Sequence, residues 1–313
     1  MAIIKPEKMD FSKKNILLIV SGLPGTGKTT LALSAPKVLL IDTDEGLCRV
    51  NPAHRKDASI CKTYEEILAD IKAAEGNYET IVIDTAGALI EYMKDWAVRN
   101  EPKARKNNGG ISLQGFGVVK QEFLRLCNEL RKKFNVIFLF HEQIEKNAED
   151  IYYSLVCEGS ARTLVYQPAD MAAHLFIQNG QRYLGFTPTE QYTAKGAYGV
   201  KGIVPIPDLK EGDSNDFLTK LFALIRKNLE QESKQAQGDI AAYNSVMAEG
   251  KTYVEAIGTP IDVKPTLDII KKLPHALTSE KELLAMVKVR LAELGITYDA
   301  KTKEYVYADN ASV

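Results

Sequence analysis

Cysteine is scarce: the 313 residues hold four, Cys48, Cys61, Cys127 and Cys157. None forms a CxxC pair or takes metal-ligand spacing with the four histidines. That excludes a disulfide framework and a zinc module, and predicts reduced, partly buried thiols in a cytoplasmic protein. Membrane-length apolar runs are missing as well. Ile16–Val20 and Val136–Phe140 are strand-sized, against the ~20 residues that cross a bilayer. The opening stretch MAIIKPEKMDFSKK lacks an apolar segment long enough for a secretory signal. No charge sign dominates either: 40 Lys and Arg face 41 Asp and Glu, for a net charge of −1. Any basic binding site must therefore be local. No repeat of fixed period and no low-complexity tract is present. With 45% hydrophobic and 26% charged residues, the chain has ordinary globular composition, enough for one large domain or a core with a smaller partner.

What is present is an alternation of short apolar runs and helical patterns. Ile16–Val20, Val38–Ile41, Ile81–Ile83 and Val136–Phe140 end at Ser21, Asp42, Asp84 and His141. Continuous apolar runs predict strands covered on both faces, and hence a mostly parallel α/β sheet flanked by helices. Polar residues then collect at the carboxyl edge, where ligands bind in such sheets. Thr63-x-x-Glu66 predicts a helix start, residues 117–133 carry helical apolar spacing, and so do residues 214–230. Asn179-Gly180 between residues 172–178 and 181–186 predicts an antiparallel hairpin extending the sheet. The polar stretch 231–240 reads as a linker between a core over residues 1–230 and a small helical C-terminal region, 241–313. In that region Ser279-x-x-Glu282 predicts another helix start.

Gly22-Leu23-Pro24-Gly25-Thr26-Gly27-Lys28-Thr29 matches GxxxxGK[ST] in full, between a strand and a helical segment that includes Thr30. Such a loop turns several backbone N–H groups onto one phosphate. Lys28 reaches the β and γ phosphates, and the Thr29 hydroxyl can ligate Mg²⁺. Asp84, at the end of its apolar run, is the natural Mg²⁺ partner, with capping of the next helix as the structural alternative. No NKxD-like guanine motif accompanies the loop.

With one strand in sequence between the P-loop strand and the Asp84 strand, the order resembles the P-loop division of RecA, AAA⁺ and helicase motors. Asp84 resembles its Walker B aspartate. Gly22–Thr29 and Ile81-Val82-Ile83-Asp84-Thr85-Ala86-Gly87-Ala88-Leu89 resemble the RecA-like core, and more closely the phage nucleotide-binding proteins of that group. Some of those act in single-strand annealing recombination. The resemblance spans about residues 14–230. It implies an ATPase using ATP and Mg²⁺, in a bacterial host's cytoplasm if phage-encoded.

The same resemblance implies a water-orienting carboxylate just after the second strand, at Asp44 or Glu45, and a polar γ-phosphate sensor at Gln143 or His141. It also implies a cation delivered by the neighbouring subunit of a ring or filament, at Lys195 or Lys201 in a Gly-rich loop. DNA-contacting loops would fall at about residues 99–116 and 144–161. Residues 94–108 set Lys94, Arg99, Lys103, Arg105 and Lys106 against Asp95 and Glu101, ahead of Phe116, a candidate base-stacking ring in the flexible turn Gly115-Phe116-Gly117. The second loop departs from the pattern: Glu145, Glu149, Asp150 and Glu158 outweigh Lys146 and nearby Arg162. The leading reading is a Mg²⁺-dependent ATPase of phage-type DNA recombination or single-strand annealing, with single-stranded DNA and further copies of itself as partners. The alternative is a nucleotide-gated loader or assembly module of little turnover, with a protein partner on residues 241–313. A small-molecule kinase would need an acceptor pocket, and the sequence singles out no residues for one.

Overall fold

The computed structural model describes residues 4–147, 150–157, 161–210 and 212–308. Glu149 and Glu158 of the acidic loop lie outside them. The described chain divides into two compact units: residues 13–228, and the residues from Leu229 onward together with those before Lys13.

In the first unit the elements run β1 (Leu17–Gly22), α1 (Lys28–Ala32), β2 (Val38–Asp42), β3 (Ala58–Ile60), α2 (Tyr64–Ala73), β4 (Thr80–Asp84), α3 (Ala86–Asn100) and α4 (Leu113–Arg131). They continue with β5 (Asn135–Asn147), β6 (Asp150–Leu155), α5 (Ala161–Leu164), β7 (Met171–Gln178), β8 (Gln181–Gly185), β9 (Ile203–Ile206) and α6, which starts at Phe217. The sheet order is β3-β2-β4-β5-β1-β7-β8-β9, with β6 hairpinned onto the far half of β5. From β3 to β7 the pairs are parallel; β8 and β9 add antiparallel strands. The predicted α/β class holds.

Both sheet faces are covered, as the unbroken apolar runs require. Leu17, Ile19, Ile81, Ile83, Val136 and Phe138 pack in one core with Ile67, Leu89, Met93, Phe123 and Leu126 of the helices. The alternate residues Leu18, Val20, Leu40, Val82 and Ile137 are buried too. Register then gathers the polar strand ends. Gly22 pairs with His141, Ser21 with His174, and Asp42 with Asp84.

Several expectations need correction. Two strands, not one, lie in sequence between β1 and β4; β3 is three residues long with two of them exposed, too short to leave a periodic signal. His141 and Gln143 sit inside β5 rather than after it, because β6 pairs with Glu142–Asn147 and prolongs the strand. The second predicted loop is therefore largely this hairpin. Gly115-Phe116-Gly117 is no flexible turn but the first turns of α4. The Ser112 hydroxyl caps that helix by accepting from Gly115 N–H, and Gly115 closes against Ala104.

Residues 231–240 are not irregular but helical: α6 runs unbroken from Phe217 to Glu255. Their polarity belongs to a solvated helix held by i,i+4 pairs, Glu230 with Lys234 (2.6 Å) and Gln235 with Asp239 (2.9 Å).

The second unit adds α7 (Pro260–Lys272), α8 (Ser279–Glu293) and the hairpin β10 (Ile296–Asp299) with β11 (Glu304–Tyr307). Its core holds Val246, Val254, Ile257, Val263, Ile270, Leu283 and Val287. Gly250 lets α6 and α8 approach closely, since a Cβ there would collide with Leu283. Ser279 does not cap α8. Thr278 holds the N-cap position, while the Ser279 hydroxyl accepts from Ala276 N–H. Among the described residues no helix is long and apolar enough to cross a membrane.

Candidate active site

The P-loop joins β1 to α1, and its shape depends on two glycines. A Cβ on Gly22 would sit 2.5 Å from the Leu175 carbonyl, and Gly27 takes φ +96°, a left-handed conformation that disfavours side chains. The Thr26 hydroxyl braces the loop by donating to the Leu23 carbonyl (2.9 Å). Lys28 folds back over it, its Nζ donating to the carbonyls of Gly22 (2.8 Å) and Leu23 (3.0 Å). Burial lowers the Lys28 pKa, opposed by the negative charges of Asp84, Glu142 and Asp44.

Thr29 and Asp84 meet directly: the Thr29 hydroxyl donates to Asp84 Oδ2 at 2.6 Å. Asp84 is 3% exposed. Burial pushes its pKa up to about 6, with Asp44 and Asp42 adding to the rise while the Thr29 hydrogen bond and Lys28 oppose it. A hydroxyl beside a carboxylate is a hard-oxygen donor set that fits Mg²⁺. Among the described residues no group of three or more His, Cys, Asp or Glu could hold a metal ion. Mg²⁺ sites of this kind take one or two protein ligands and complete their shell with phosphate and water.

The acidic turn separates its three carboxylates by role. Asp42 is buried and accepts the backbone N–H groups of Gly46 and Leu47, both at 2.9 Å, so it shapes the turn. Glu45, at φ +57°, points away and pairs with Lys62 at 3.0 Å. Asp44 faces the site: its Oδ2 lies 3.6 Å from His141 Nε2 and 3.6 Å from Arg49 Nη2. Asp44 Oδ1 and His141 Nδ1 are buried without a hydrogen-bond partner among the described residues. Burial lowers the His141 pKa, and nearby Lys28 lowers it further, while Asp44 opposes. Behind them Glu142 is buried against His174, Oε2 to Nδ1 at 2.9 Å.

The remaining candidates lie elsewhere. Gln143 is exposed, and its amide donates to Glu145 (3.1 Å). Lys195 Nζ donates to the Ala169 carbonyl (2.7 Å), ahead of β7 and toward the amino end of the strands, while Lys201 is exposed in the loop before β9. Arg99 pairs with Glu65 (3.1 Å); Lys103, Arg105 and Lys106 are exposed around a short 3₁₀ turn. Phe116 is 38% exposed, with Lys94 Nζ 5.7 Å from its ring centre.

One residue escaped the sequence reading. Arg182, on β8, donates from Nε to the P-loop carbonyl of Thr26 at 3.1 Å. Only sheet order brings it there; no motif in Gln181-Arg182-Tyr183 marks it.

No curated protein matches the chain. Residues 14–198, more than half of it, match a family model described as an AAA domain. With a complete P-loop at the head of a parallel sheet, the chain belongs to this family of AAA P-loop ATPase-like domains.

Proposed function

We propose that the protein binds ATP with Mg²⁺ and hydrolyses it. The observation that carries this reading is the Thr29–Asp84 contact at 2.6 Å beside a buried Lys28. Thr29 and Asp84 would hold Mg²⁺, which neutralises phosphate charge when bound. Lys28, now satisfied by two carbonyls, would exchange them for phosphate oxygens, which are the stronger partners for an ammonium. The P-loop amides from Gly22 to Thr30 would cradle the phosphate chain.

Between Asp44 and Glu45, we assign the water-orienting role to Asp44. Its Oδ2 stands 3.6 Å from His141 Nε2 at the strand ends, whereas Glu45 is engaged with Lys62. His141, opposite Gly22 and 3.6 Å from Asp44, suits a sensor of the phosphate better than Gln143, which is bound to Glu145 on the hairpin.

The finer reading is an ATPase of phage-type recombination or single-strand annealing. It is supported by the exposed cations Lys103, Arg105 and Lys106, with Arg99 and Phe116 near by in sequence. In a ring or filament, Lys195 or Lys201 of a neighbouring copy would supply the trans cation. The separately packed C-terminal unit favours a second reading, a nucleotide-gated loader with little turnover.

Turnover of ATP with Mg²⁺, measured with and without single-stranded DNA, separates these. Wild type should hydrolyse ATP, and Lys28→Ala should lose about a hundredfold or more of that rate. Stimulation by DNA that fades with salt supports the recombination role. Tight ATP binding without turnover favours the loader, and no binding of ATP at all removes both.

A further inference from the structure

Arg182 is held at two points, and they differ in strength. Its Nε donates to the Thr26 carbonyl at 3.1 Å, and its guanidinium lies over the bare Cα of Gly27: a Cβ there would sit 3.2 Å from Nε. At the other end Nη1 reaches Asp208 at 3.4 Å, a long contact between side chains 41% and 58% exposed. Exposed pairs of that kind are weak. Among the described residues Nη2 has no hydrogen-bond partner. The guanidinium therefore keeps one anchor on the P-loop and leaves its outer fork exchangeable.

That fork faces a cavity of about 600 Å³ whose lining includes Gly27, Thr30, Leu175, Ile206, Asp208 and Phe217. The cavity begins at the P-loop and continues between apolar residues such as Leu175 and Phe217 and polar ones, Asp213, Asn215 and Asp216 among them, with volume enough for a nucleoside attached to a phosphate chain. A guanidinium fork matches phosphate oxygens in pairs, and a doubly charged phosphate outcompetes a single exposed carboxylate.

We propose that Arg182 is a phosphate-binding residue supplied within the same chain, and that Asp208 holds its fork until a nucleoside polyphosphate displaces it. The inference rests on the nucleotide reading above. On binding, Nε keeps the Thr26 carbonyl while Nη1 and Nη2 turn from Asp208 to the phosphates. The antiparallel strand β8 is thereby tied to the occupancy of the P-loop.

Calorimetric titration of the full chain with ATP and with ADP, in the presence of Mg²⁺, tests this. Arg182→Ala should weaken both nucleotides by about ten- to a hundredfold, and Arg182→Lys should recover part of the loss. Asp208→Asn removes the competitor and should bind at least as tightly as wild type. A purely structural Arg182–Asp208 pair predicts instead that both substitutions weaken binding alike. Binding by Arg182→Ala within twofold of wild type, or an Asp208→Asn loss matching that of Arg182→Ala, overturns the inference. Should Arg182→Ala fail to fold, Arg182→Gln and Asp208→Asn decide by the same criteria. No heat from wild type with either nucleotide would overturn the nucleotide reading itself.

Discussion

Both units bury hydroxyls, but among the described residues only the first also buries charged side chains. Among the described residues, the first buries Lys28, Asp42, Asp84, Lys94, Glu122, Glu142, Asp170 and His174; the second buries only the hydroxyls of Ser233, Thr266 and Ser279. A hydroxyl is readily satisfied by one backbone group, as Ser279 shows. A charge taken from water is costly unless it is paired, and a fold retains it where another role requires it. Several of the first unit's charges are structural: Asp170 receives Lys14, Arg131 and Tyr198, and Glu122 receives Arg125 and Tyr64. Those around the P-loop are less completely paired. The contrast teaches that incomplete satisfaction, more than burial alone, marks the candidate site.

Four substitutions would break or sharpen that contrast. The largest effect belongs to the second unit. Leu283→Ala should remove about 3 kcal/mol of its stability, because Leu283 fills the close approach at Gly250, while ATP affinity stays within twofold. Denaturation followed alongside nucleotide titration checks this, and a tenfold loss of affinity would show that the second unit serves the site.

Next comes the acidic turn. Asp44→Asn should lower kcat about a hundredfold and Glu45→Gln less than threefold, with KM nearly constant in both. Equal losses in steady-state assays would return the water-orienting role to an open choice.

The smallest effect is a gain. Asp84 has a folded pKa near 6, above its ordinary carboxylate value, so the free folded protein binds the proton more tightly than the unfolded chain. Asp84's own contribution to stability should therefore fall as pH rises from about 4 to 6 and stay reduced above that, against the opposite contribution of carboxyls held low such as Asp170 and Glu122. Asp84→Asn should match wild type at pH 4 and exceed it by about 2 kcal/mol at pH 8, while losing Mg²⁺-dependent activity. A gain of the same size at both pH values would mean that ionisation is not its source.

The legible parts of the sequence were those where local chemistry and burial agree. The P-loop, the four apolar runs and the Asn179-Gly180 turn each carry their own signal, and each stands where that signal places it. Elements whose signal is tertiary were not legible. Strand β3 exists because an edge of β2 is open to it, and β9 because β8 offers another. The polar stretch 231–240 resembles a linker in composition, yet Gln, Glu, Lys and Ala are good helix formers when solvated. Within the site, residue types pointed to Asp44 and Glu45 alike. Only the turn built by Asp42, and the pull of Lys62 on Glu45, separate them. Arg182 was beyond reach because it meets Thr26 across 156 positions of chain.

Strand β5 links the P-loop register to the outer hairpin. Its first half is clamped between β4 and β1, its second half is laced to β6, and His141 lies at the junction, opposite Gly22. The ladder passes from one half to the other without an intervening loop. One unbroken strand thus joins the residue opposite Gly22 to the outer end of the hairpin, where Asn147 pairs with Asp150.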